Sequence, residues 1–162
     1  MAKNKFKVVI LGTDINAYYM SRNFHEAYGI KPHLIGKTAM NFTSLSNILT
    51  YELNEDLWNK DTFVKVLKDY AMKNEGETIV LVGSNDTYVR LIVENRKILE
   101  KYYTFNYPTE KIINNLLVKD NFYEFVKNYD IDVPATYIYT CNKDELDMNQ
   151  INKFMFPLIL KP

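Results

Sequence analysis

The stretch FKVVILGTDINAYYMSRNFHEAYG, Phe6–Gly29, holds two periodicities joined by one glycine. Its first six residues are almost continuously apolar, the pattern of a strand buried on both faces. Beyond Gly12 the apolar residues Ala17, Met20, Phe24 and Ala27 recur at i, i+3, i+7 and i+10, which is one face of a helix. Gly29 then supplies the residue that most easily adopts the left-handed C-cap. A buried strand feeding a helix through a short polar loop is the opening of an alternating α/β sheet.

The alternation continues. KPHLIGK (31–37), ILTYELN (48–54) and ETIVLVGS (77–84) read as further short strands, while TAMNFTSLSN between the first two of these reads as loop or a short helix. Asp61 is placed to cap a helix whose inner face is Phe63, Leu67, Tyr70 and Ala71 and which ends near Gly76. A second helix is expected over 86–101 with Val89, Ile92 and Leu99 inward, followed by a short strand, YTFNY, stopped by Pro108. Hydrophobic strands alternating with helices imply a mostly parallel sheet covered on both faces, so residues 1–108 read as a Rossmann-like three-layer domain.

From Thr109 the pattern changes. EKIINNLL and KDNFYEFVKNY read as helices, the second with Phe122, Val126 and Tyr129 on one face. A Pro-entered strand over Ala135–Thr140 is expected next, then a polar helical stretch over 143–153, then a buried strand in FPLILKP, Phe156–Pro162. A buried strand needs neighbours, so residues 109–162 read as a helical linker and the first elements of a second, truncated domain.

Twenty Lys and Arg balance twenty Asp and Glu, which leaves no basic field for nucleic acid or an anionic membrane. The single cysteine, Cys141, has no partner for an internal disulfide, and the N-terminal apolar run is too short for a signal or membrane segment. The sequence therefore predicts a cytoplasmic protein.

Two loops carry candidate chemistry. Gly12–Ala17 follows a strand and opens a helix, where parallel sheets bind ligands and where helix N-termini attract anions. Asp14 occupies the middle position at which a dinucleotide fingerprint needs glycine, and its carboxylate would repel phosphate. Thr13 and Asp14 either cap the helix or face a ligand. Gly83–Asp86 stands in the same relation to its strand, and Ser84, Asn85 and Asp86 are likewise either turn residues or ligand contacts. His25 and His33 lack other ligands at metal-binding spacing, and neither a GxSxG nor a GxxxxGK[ST] motif occurs.

LVKDNFYEFVKNYDIDVPATYIYT (117–140) followed by FPLILKP resembles the entry into an ATP-grasp ligase, and ILGTDINAYYMSRNFHEAYGIKP (10–32) is similar to the opening of its carboxylate–amine ligase branch, D-aspartate ligase-like enzymes in particular. The family usually has Asp directly before its first lysine; here Val118 precedes Lys119 and Asp120 follows it. The resemblance implies a pre-ATP-grasp domain and the start of an ATP-grasp domain whose remainder, with the Mg2+ ligands, lies beyond residue 162. It implies ATP contacts at Lys119 and Lys161, and substrate contacts at Gly12, Thr13, Asp14, Asn16, Ser84, Asn85 and Asp86. None of these is a catalytic base or a metal ligand in that scheme.

The parent enzyme would use ATP and Mg2+ to convert a carboxylate to an acyl phosphate for attack by an amine. D-aspartate and a peptidoglycan precursor are the sharpest substrates, and this chain alone would be inactive. The implied partners are the downstream ATP-grasp domain, the two substrates and, in one arrangement, a second copy of the chain. The competing reading is a free-standing Rossmann-like module that binds a nucleotide or an amino acid without chemistry. An NAD-dependent oxidoreductase is a third reading, weakened by Asp14.

Overall fold

The computed structural model describes residues 6–117, 119–141 and 144–160, for Lys119 and Asp120 the backbone alone. Strand β1 (Phe6–Leu11) pairs in parallel with β2 (His33–Gly36) on one side and β4 (Thr78–Gly83) on the other, and β3 (Thr50–Leu53) pairs in parallel with β2. The order is β3-β2-β1-β4. A strand so enclosed has no solvent face, which is why Val8 to Leu11 can all be apolar and all stand at most 1% exposed.

Alternate β1 side chains enter different cores. Val8 and Ile10 pack with Leu34, Leu49 and Ala17 of α1 (Ile15–Tyr28). Val9 and Leu11 pack instead with Phe63 and Leu67 of α3 (Lys60–Lys73) and Ile92 of α4 (Asp86–Glu94). Helix, sheet and helix thus form the three layers of a Rossmann-like α/β domain. The chain steps outward from β1 to β2 and β3, then returns to place β4 on the far side of β1. The strand order therefore reverses between β1 and β4, and the crevice outside their carboxyl ends is the place where such sheets take ligands.

Several elements depart from expectation for local reasons. Asn59, not Asp61, caps α3: its Oδ1 accepts from the N–H groups of Asp61 (3.0 Å) and Thr62 (3.2 Å), leaving Asp61 in the first turn. The helix expected over 86–101 is two, α4 and α5 (Arg96–Leu99), parted at Asn95. The Asn95 amide donates to the Leu91 carbonyl at 2.8 Å, a local bond of the kind that competes with continued helix. On α1 the buried positions are Ala17 and Ser21, while Ala27 is exposed. The Ser21 hydroxyl escapes the cost of burial by donating to the Ala17 carbonyl at 2.7 Å. The polar segment after β2 holds a single turn, α2 (Asn41–Ser44). YTFNY contributes one parallel bridge, Thr104 to Val80, in place of a strand.

The chain divides between Asn114 and Asn115, within α6 (Glu110–Leu117). In the second unit α7 (Lys119–Val126) runs into a 3-10 turn (Lys127–Tyr129) that ends at Asp130 with φ of 51°. Tyr129, expected on the inner face, is exposed. Helix α8 (Met148–Ile151) is the only helix formed in the described part of 143–153, and Asp147 caps it. Neither expected strand of this unit forms among the described residues. Residues 135–140 pair with no strand among the described residues, and Leu158, Ile159 and Leu160 are 44%, 84% and 98% exposed. A strand is defined by its partner's hydrogen bonds, and none is present for these runs.

Candidate functional site

The carboxyl ends of β1, β2 and β4 are drawn together by residues without bulk. Gly12 has φ of +116°, open to glycine and strained for other residues, and a Cβ there would fall 2.0 Å from Ser84 Oγ. A Cβ at Gly36 would meet Thr13 Oγ1 at 2.8 Å. Hydrogen bonds close the same gaps. Gly12 N–H donates to the Ile35 carbonyl (2.8 Å), Ser84 N–H to the Leu11 carbonyl (2.9 Å), and the Thr13 hydroxyl to the Thr38 carbonyl. The Thr43 hydroxyl of α2 donates to the Met40 carbonyl at 2.7 Å and reaches the Thr13 carbonyl at 3.2 Å, so the loop after β1 is tied to the segment that follows β2.

Asp14 stands at the centre. One carboxylate oxygen caps α1 by accepting from Ala17 N–H at 2.9 Å. The other accepts from the Ser84 hydroxyl and from the Asn85 amide, each at 3.2 Å. Asn85 in turn caps α4, its Oδ1 accepting from Tyr88 N–H at 3.3 Å. Two helix caps and a cross-loop bond are thereby one network. Of the residues expected to bind substrate, Gly12, Asp14, Ser84 and Asn85 converge here, Thr13 is buried and turned toward Thr38, and Asn16 and Asp86 stand exposed in the first turns of α1 and α4.

The electrostatic consequence is specific. The N-terminus of α1, where a dinucleotide's phosphate would sit, already carries the chain's own carboxylate. A phosphate placed there would meet like charge; an amine or ammonium would find an acceptor.

Three further residues complete the crevice. Tyr88, 5% exposed, has its phenol pushed above the usual range by burial, with the Asp14 charge adding to this and the Trp58 indole and Lys37 backbone N–H pulling the other way. Lys37 follows β2 directly, and its Nζ lies 4.1 Å above the centre of the Trp58 ring. Trp58 is the only tryptophan of the chain. Lys37 was missed because the sequence reading placed it as the last residue of the strand over 31–37, whereas β2 ends at Gly36.

The remaining candidates lie elsewhere. His33 begins β2 at the opposite end of the sheet and stacks on Tyr70 with centroids 4.7 Å apart. Cys141 is exposed, and no group of three or more His, Cys, Asp or Glu among the described residues could hold a metal ion. Lys161 lies outside the described residues, and Lys119 is described only as the backbone that opens α7. Among the described residues no helix is long and apolar enough to cross a membrane.

No family profile matches the chain. It is 28% identical over 165 residues to a D-aspartate ligase of Enterococcus faecium (strain Aus0004), an alignment covering 98% of this chain and 38% of that protein. The likeness takes in nearly the whole sequence, and the chain spans little more than a third of the relative's length.

Proposed function

We propose that the crevice at the ends of β1 and β4 binds the amino-acid substrate of an ATP-dependent carboxylate–amine ligase, with the substrate's amino group at Asp14. The observation that supports this reading is the Asp14 carboxylate, fixed by Ser84 and Asn85 at the one place where a phosphate-binding sheet would leave an open helix terminus. The sharpest version takes D-aspartate as the carboxylate substrate and the amine of a peptidoglycan precursor as acceptor, in keeping with the name of the relative. ATP with Mg2+, when bound, would supply the phosphoryl group that makes the carboxylate an acyl phosphate, from which phosphate leaves when the amine bonds to the acyl carbon. The assignment of Lys119 and Lys161 to the ATP phosphates rests on resemblance alone. What the crevice residues do is bind and orient: a substrate held at Asp14 has lost its freedom to turn before any bond is made.

Calorimetric titration of the 162-residue chain with D-aspartate, Mg-ATP and NAD tests the proposal. D-aspartate is expected to bind weakly and Asp14→Asn, which keeps the helix cap and removes the charge, to weaken it about tenfold, the scale of one charge-assisted hydrogen bond. Micromolar binding of NAD or ATP, or D-aspartate binding indifferent to Asp14→Asn, would overturn it in favour of a self-contained nucleotide binder or an unrelated site.

A further inference from the structure

Two charges of opposite sign stand partly buried at neighbouring strand ends without meeting. The Asp14 carboxylate is held at the end of β1 by hydroxyl, amide and backbone donors, none of them a cation. The Lys37 ammonium is held at the end of β2 by the face of Trp58. The salt bridges formed among the described residues are Arg22–Glu26 and His33–Glu52, so neither Asp14 nor Lys37 has an ionic partner there.

Each charge is thus held by neutral groups alone and stays half-buried at its strand end. Their separation is built in. Gly36 packs against Thr13, and Asn54 N–H donates to the Gly36 carbonyl at 2.8 Å, which ties the turn that leads to Trp58 to the end of β2. Tyr88 is buried beside the β1 loop, its ring 3.3 Å from where a Cβ on Gly12 would stand. The crevice therefore has a negative pole over β1 and β4 and a positive pole over β2 and β3.

We infer that Lys37 is a specificity residue of this crevice: it takes a carboxylate of the same ligand whose ammonium sits at Asp14, so the crevice selects dipolar amino acids over amines or acids alone. This inference rests on the proposed substrate crevice and adds its second pole. A ligand pinned at its ammonium and one carboxylate leaves any second carboxylate free to react, which suits an acidic amino acid. Lys37 exchanges the π face of Trp58 for a charge-assisted hydrogen bond when the ligand enters, and Trp58, 56% exposed at the rim, senses the exchange.

Because Trp58 is the sole tryptophan, its emission reports on Lys37 directly. The chain would be titrated with D-aspartate, succinate and ethylamine, following both heat and Trp58 emission, in the wild type and in Asp14→Asn, Lys37→Met and Lys37→Arg. D-aspartate is expected to change the emission saturably and to bind at least about tenfold more tightly than either single-pole ligand. Lys37→Met should remove that advantage and Lys37→Arg should restore most of it. If D-aspartate binds and Asp14→Asn weakens it while Lys37→Met does not, the role of Lys37 is overturned and the crevice stands. If D-aspartate does not bind, or binds with no dependence on Asp14, the crevice reading falls and the inference with it.

Discussion

The first strand and the segment Pro157–Leu160 are both short runs of Val, Ile and Leu, yet their fates are opposite. Val8, Val9, Ile10 and Leu11 are at most 1% exposed, whereas Leu158, Ile159 and Leu160 are 44%, 84% and 98% exposed. Intrinsic hydrophobicity does not separate them. What differs is company: β1 has β2 and β4 on its edges and helices over both faces, and residues 157–160 pair with no strand among the described residues. An apolar run states a demand for burial, and the fold meets it only where backbone donors and acceptors are supplied as well.

The comparison breaks most directly at its buried end. Ile10 is wholly enclosed, so Ile10→Ala removes contacts on the α1 face and leaves a cavity, and a loss of about 2–5 kcal/mol in urea denaturation is expected. A loss below about 1 kcal/mol would mean that the paired strand is no better packed than the unpaired one.

A smaller effect sharpens the contrast by asking whether the paired sheet also answers to pH. Burial holds the His33 imidazole below its ordinary range, the Glu52 carboxylate 3.5 Å away pulls it back up, and Lys73 adds to the lowering. The folded protein thus resists a proton that the unfolded chain accepts near pH 6.5. The stability conferred by neutral His33 is present above that pH and is lost as pH falls through the lower, folded value. Urea midpoints between pH 7.5 and 5.5 should therefore decline more steeply in the wild type than in His33→Phe, which keeps a ring against Tyr70. Equal slopes would remove His33 from the account.

How much of this could be read from residues alone follows from the same distinction. The sheet and the three-layer arrangement were legible because β1 and β4 are short apolar runs each followed by an amphipathic helix, with β2 and the half-polar β3 between them in sequence. Asp14, Ser84 and Asn85 were legible as loop residues at strand ends, although nothing in their spacing said that one carboxylate would bind both of the others. Tyr88 was missed because the inner face of its helix was read through Val89, Ile92 and Leu99, whereas the buried residues of α4 are Tyr88, Ile92 and Val93. Trp58 lies in the turn after β3, where no periodicity speaks. The break at Asn95 was hidden because an asparagine inside a helix announces itself only through the carbonyl it reaches. The strands expected over 135–140 and 156–162 do not form among the described residues, and there the reading of hydrophobicity had to assume a neighbour.

The smallest effect belongs to the exposed end of the comparison, and it is the most discriminating because it asks for nearly nothing. Leu160 is as open as a residue in an extended chain, so Leu160→Ala removes almost no buried surface and should change the urea midpoint by no more than about 0.5 kcal/mol equivalent. The unchanged midpoint would show that this run contributes its hydrophobicity to nothing in the folded chain. A cost above about 1 kcal/mol would mean that the segment is packed after all, and that its burial was legible in its composition as it was for β1. The pair Ile10→Ala and Leu160→Ala thus weighs one kind of side chain in two settings, and the difference between them measures what partner strands add to an apolar sequence.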